Sequence, residues 1–127
     1  MSKSLLVVDD STTIREAVRH ALAGEDWTVV IASSPSEALE IFRDRSFDAV
    51  LCDVSLRDAD GYEMCRTLRT ADGAGEPSII LMGAKVNDTA AMAAGASGTL
   101  LKPFESQEIL EALEGMPDRD EAFVDIK

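Results

Sequence analysis

Two adjacent carboxylates, Asp9 and Asp10, close the apolar run LLVV, and a third, Asp53, closes the run AVLC. An ammonium, Lys102, follows another apolar run, TLL, and precedes Pro103. Three carboxylates gathered within a few ångströms cannot all stay ionised without a counter-charge, because each raises the pKa of the others. A hard divalent cation with oxygen ligands meets that need, and Mg2+, which keeps several waters, suits a site of two or three carboxylates. A lysine beside the cation makes the place tolerable to an anionic guest. Phosphoryl transfer needs mainly such positioning and charge neutralisation.

The elements that must bring these residues together are legible as alternating runs. Five apolar stretches, Ser4 to Val8, Thr28 to Ala32, Ala49 to Cys52, Ser78 to Met82 and Thr99 to Leu101, do not alternate with polar residues and read as strands covered on both faces. Helical periodicity lies between them. Ile14, Ala17, Val18, Ala21 and Leu22 mark a first helix, with Ser11 placed to cap it and Gly24 to stop it. Ser34, Pro35 and Glu37 announce a second through a capping box and a first-turn proline. A third spans about Asp60 to Thr70, a fourth about Asp88 to Ala94 before Gly95, and a fifth about Glu105 to Glu114 before Gly115 and Pro117. Strand and helix alternate five times, which predicts an α/β fold: a doubly wound parallel sheet of five strands with helices on both faces. Ligands of such sheets sit at the carboxyl ends of the strands. That rim would hold Asp9, Asp10, Asp53, Gly83, Ala84 and Lys102 together.

Composition narrows the function classes. A chain of 127 residues, 46% of them apolar, fits one domain. The net charge of −12 opposes direct contact with nucleic acid, whose affinity rests on cationic contacts to phosphate. No 18-residue apolar stretch offers a membrane span, and a cytoplasmic protein without membrane contact is expected. Cys52 and Cys65 lack metal-ligand spacing and lie in periodic apolar segments, so they read as packed free thiols. The segment MPDRDEAFVDIK, residues 116–127, follows the last helix as a charged tail or the start of a linker.

Taken in order, Asp9-Asp10, Asp53 within CDVSLRDADGYE, and Lys102-Pro103-Phe104 resemble the bacterial two-component response-regulator receiver domain of the chemotaxis-regulator (CheY-like) type. The likeness covers about residues 3 to 115, within a receiver domain expected over residues 1–115. It implies the flavodoxin-like strand order 2-1-3-4-5 and a signalling module rather than an enzyme that turns over substrate. By this resemblance Asp53 accepts a phosphoryl group from a sensor histidine kinase or a histidine phosphotransfer protein. Asp9, Asp10, Asp53 and the backbone carbonyl of Ser55 hold Mg2+, and Lys102 pairs with the phosphoryl group. In relatives the Lys-Pro bond is cis. A downstream protein target or a C-terminal output domain would read the result. Gly61 matches a family glycine at a place of positive φ or close backbone approach.

Several positions depart from the family's pattern. Gly83 stands where the family has a Ser or Thr whose hydroxyl bonds the phosphoryl oxygen, leaving a backbone N–H, most simply that of Ala84, to replace it. Thr99 replaces the aromatic residue that rotates on activation, and Arg57 replaces a frequent proline. The interval from Gly83 to Lys102 is also short. An alternative reading is a pseudo-receiver that binds proteins without being phosphorylated.

Overall fold

The strands carry no polar stripe because both faces of the sheet are covered. In β1 (Lys3–Val8), Leu6 and Val8 face one side, Leu5 and Val7 the other, and none is exposed to solvent. β3 (Ala49–Asp53) divides in the same way, with Val50 and Cys52 opposite Ala49 and Leu51. So does β4 (Ser78–Gly83), with Ile79 and Leu81 opposite Ile80 and Met82. Each of the buried Leu, Ile, Val and Met side chains contributes about 1.5–3 kcal/mol by leaving water. These features come from a computed structural model that describes residues 3–57, 59–71, 76–115 and 124–126.

With β2 (Trp27–Ala32), β5 (Gly98–Leu101) and β6 (Val124–Ile126), the strands form one parallel sheet in the order β2-β1-β3-β4-β5-β6. The first five stand in the expected order. β6 is additional: residues 124–126, within the expected tail, pair with Gly98 to Leu100. A three-residue strand among many charges is too short for periodicity to signal. Residues 116–123 lie outside the described residues.

α1 (Thr12–Leu22) and α5 (Ser106–Glu114) cover one face through Val18, Leu22, Ile109, Ala112 and Leu113. α2 (Pro35–Asp44), α3 (Gly61–Thr70) and α4 (Asp88–Ala94) cover the other through Ala38, Phe42, Met64, Cys65, Leu68, Ala91 and Ala94. The helix ends follow local chemistry. The Ser11 hydroxyl accepts the Ile14 N–H and the Ser34 hydroxyl accepts that of Glu37, while Gly24 and Gly95 take φ of 81° and 93°. Both cysteines are free and buried. Arg69 ties α3 to the sheet by donating to the Gly95 and Pro77 carbonyls and to the Ser97 hydroxyl. Among the described residues, no helix is long and apolar enough to cross a membrane.

Candidate functional site

β1, β3 and β5 run in the same direction, so their last residues meet on one rim. Asp9 still donates its N–H to the Ala32 carbonyl (3.2 Å), and the Lys102 N–H reaches the Gly83 carbonyl (2.8 Å), so the ladder holds both at the sheet's end. The Lys102–Pro103 bond is cis. Two carboxylates converge on one ammonium: Lys102 Nζ donates to Asp53 Oδ2 at 2.6 Å and to Asp9 Oδ2 at 3.1 Å. The other oxygen of each acid accepts a nearby backbone N–H, that of Ser11 for Asp9 and that of Ser55 for Asp53, both at 2.8 Å.

Asp9 is 1% exposed and Asp53 8%. Burial lifts the Asp9 carboxyl above the usual carboxylate range, against the opposing effects of the Ser11 N–H and of Lys102. Burial alone would lower the Lys102 ammonium, but its hydrogen bonds to Asp53 and Asp9 outweigh that and raise it. Two buried carboxylates thus share one ammonium at the rim.

Asp10 stands apart from this trio. Side chains alternate along an extended chain, so with Asp9 turned inward Asp10 turns outward, where its Oδ2 lies 3.6 Å from Nε of Arg57. Among the described residues, no three His, Cys, Asp or Glu side chains gather closely enough to hold a metal ion. The donor types nevertheless fit Mg2+: hard carboxylate oxygens, one of them buried at a cost that a cation would relieve.

Two glycines shape the approach. A Cβ at Gly61 would meet the Asp53 carbonyl oxygen at 2.1 Å and Val54 Cα at 2.5 Å, so close backbone approach, and not positive φ, explains this glycine. At Gly83 a Cβ would meet Val54 Cγ2 at 2.7 Å. A Val54 methyl thus fills the place of the missing side chain. Ala84 lines an open cleft of about 400 Å³ with Asp53, Ser55, Lys85 and Lys102. Gly83 itself is buried.

Thr99 is buried, and its hydroxyl donates to Asp88 Oδ1 (3.3 Å) in the first turn of α4. Tyr62 Oη accepts the Asn87 N–H (2.8 Å) at the same helix end. Of the residues proposed from sequence, Asp9, Asp53 and Lys102 form one hydrogen-bonded cluster, Ser55 and Ala84 adjoin it, and Asp10 faces Arg57. The pairing of Arg57 and the contact of Val54 with Gly83 went unread. Both depend on chain segments that only the fold brings together.

Residues 5–114 match the family model of the response regulator receiver domain. The chain is 36% identical over 118 residues to the response regulator MprA of Mycobacterium ulcerans, covering 91% of this chain and 50% of that one. It spans about half the length of the curated relatives it matches. Among solved structures, the chemotaxis protein CheY4 of Vibrio cholerae superposes with a TM-score of 0.85 at 28% identity, covering 92% of this chain and all (100%) of that one. The BeF3-activated DrrB receiver domain superposes with a TM-score of 0.78 at 27% identity, covering 90% of this chain and 96% of that one.

Proposed function

As the chain belongs to the response regulator receiver domain family of two-component systems, we propose that it takes a phosphoryl group from a phosphohistidine onto Asp53 and signals through a changed protein-interaction surface. The observation that carries this is the position of Asp53. It is nearly buried, tied to Lys102 Nζ at 2.6 Å, yet borders an open cleft of about 400 Å³.

In the transfer, the P–N bond of the donor phosphohistidine breaks, its electron pair staying on the ring nitrogen, while a P–O bond forms to an Asp53 carboxylate oxygen. The Ser55 N–H holds one Asp53 oxygen and so orients the carboxylate. Lys102, already beside the other oxygen, is placed to follow the negative charge onto the incoming group. Gly83 offers no hydroxyl to that group, and the Ala84 N–H is the donor left at the lip of the cleft. Asp9, Asp10, Asp53 and the Ser55 carbonyl would hold Mg2+, which when bound neutralises charge on the transferring oxygens. The phosphoryl donor is a sensor histidine kinase or a histidine phosphotransfer protein. The reader is a downstream protein or a C-terminal output domain; direct nucleic-acid contact by this domain is opposed by its net charge of −12.

Incubation with a small phosphodonor and Mg2+, followed by intact-protein mass spectrometry, tests this directly. One phosphoryl mass should appear in the wild type and be absent in Asp53→Asn. No adduct with any donor, together with full partner binding by Asp53→Asn, would instead establish a phosphorylation-independent binding module.

A further inference from the structure

Each acid of the rim already has a basic partner in the chain. Lys102 serves Asp9 and Asp53, and Arg57, at the turn that follows Ser55–Leu56, serves Asp10. We propose that Arg57 is a built-in counter-ion that competes with Mg2+ for Asp10 and so sets how readily the rim takes up the cation. The inference rests on the Mg2+ reading of the site given above.

Three features support it. The first is charge: Asp9, Asp10 and Asp53 face two chain cations, so a guanidinium at Asp10 performs part of the neutralisation that a metal would otherwise supply. A cation of charge two entering beside Asp10 must displace the guanidinium or sit against it. The second is the looseness of the pair. Its separation of 3.6 Å makes it an ion pair beyond hydrogen-bond distance, and the Arg57 side chain is 81% exposed. Exposed pairs of this kind shift an equilibrium by up to about fivefold. The third is room to move. Arg57 forms a wall of a hollow of about 280 Å³ with Asp10, Ser33, Ser34, Pro35 and Leu56, open to solvent on the outer side of the rim. The side chain can swing into it without disturbing a packed neighbour. Arg57 thus holds Asp10 apart from the two acids that share Lys102, and no gathered ligand set forms among the described residues.

Isothermal titration of the full chain with MgCl2 alone, at low ionic strength, tests the proposal without any phosphoryl chemistry. Arg57→Gln should bind Mg2+ about twofold to fivefold more tightly than the wild type, and Arg57→Lys should stay close to the wild type. The gain should shrink as NaCl screens the rim. Arg45→Gln, which removes the same charge ahead of β3 at the opposite end of the sheet, should leave the affinity within roughly 1.5-fold. Binding that Arg57→Gln does not strengthen, or that Arg45→Gln strengthens equally, overturns the competition while leaving the metal site standing. Absence of Mg2+ binding in wild type and Arg57→Gln alike overturns the metal reading and this proposal with it.

Discussion

Replacing Gly61 by alanine should damage stability and phosphorylation together, because this residue is pressed against the backbone of Asp53, the proposed acceptor. The added Cβ would stand 2.1 Å from the Asp53 carbonyl oxygen and 2.8 Å from its carbonyl carbon. Both are main-chain atoms, so no rotamer change relieves the contact. Reaching even the 3.0 Å limit of real Cβ contacts requires a retreat of about 0.9 Å, from 3.0 minus 2.1, by α3 or by the end of β3. That movement also strains the bond from the Gly61 N–H to the Val54 carbonyl, now 2.9 Å. Overpacking costs about 1–3 kcal/mol and a weakened backbone hydrogen bond about 1 kcal/mol, for a total near 3 kcal/mol. With an unfolding entropy of about 2.1 cal/mol/K per residue, the whole domain has roughly 0.27 kcal/mol/K, so the melting temperature should fall by about 10 °C. Displacing Asp53 from its Lys102 contact by a comparable distance should slow labelling by a small phosphodonor roughly tenfold to a hundredfold. Thermal unfolding followed by circular dichroism and intact-mass labelling rates measure the two effects. A Gly61→Ala protein melting within about 2 °C of wild type, with normal labelling, would refute the close-approach reasoning.

Gly83→Ser should cost about 1–2 kcal/mol in urea unfolding, because its Cβ would lie 2.7 Å from a methyl of the stiff, β-branched Val54. Adding Val54→Ala should recover part of that loss with a coupling of at least about 0.5 kcal/mol, and strictly additive effects would show that Val54 does not fill the site. Arg69→Met should lose about 3 kcal/mol, since it removes the Arg69 donors to the Gly95 and Pro77 carbonyls and one of the two donors to the Ser97 hydroxyl, which keeps the Ile79 N–H; an unchanged urea midpoint would contradict this. Burial pushes the Cys65 thiol from 9.0 up to about 11. The native thiol therefore holds its proton more tightly than the unfolded one. Its contribution is complete below pH 9.0 and is lost as pH rises to about 11. The stability advantage of wild type over Cys65→Ala should narrow across that window by on the order of 2 kcal/mol in denaturant titrations, and a constant gap would contradict it.

Much of the architecture could be read from local pattern. Strand β1 ends at Val8 and α1 begins after Ser11, because an apolar run gives way to a capping hydroxyl. Gly24 and Gly95 were placed as helix stops and take the left-handed backbone such stops need. The cluster of Asp9, Asp53 and Lys102 followed from strand direction alone, since parallel strands deliver their last residues to one rim. What stayed hidden depends on contacts across the fold. Adjacency in sequence suggested that Asp9 and Asp10 act as a pair, but the alternation of an extended chain turns Asp10 toward Arg57. Arg57 itself read as a minor loop substitution, because its partner lies 47 positions away, from 57 minus 10. Val54 gave no sign that it occupies the space left by Gly83. Thr99 read as the loss of an aromatic switch, while the fold gives its hydroxyl a partner at the start of α4.

The central claim, that Asp53 is a phosphoacceptor working without a hydroxyl at position 83, is tested most directly by a crystal structure grown with Mg2+ and beryllofluoride. The account predicts the mimic on an Asp53 carboxylate oxygen, with Lys102 Nζ and the Ala84 N–H turned toward its fluorines and Mg2+ among Asp9, Asp10, Asp53 and the Ser55 carbonyl. A cleft that stays empty at saturating beryllofluoride, with Lys102 still paired to Asp53 at 2.6 Å, would contradict it.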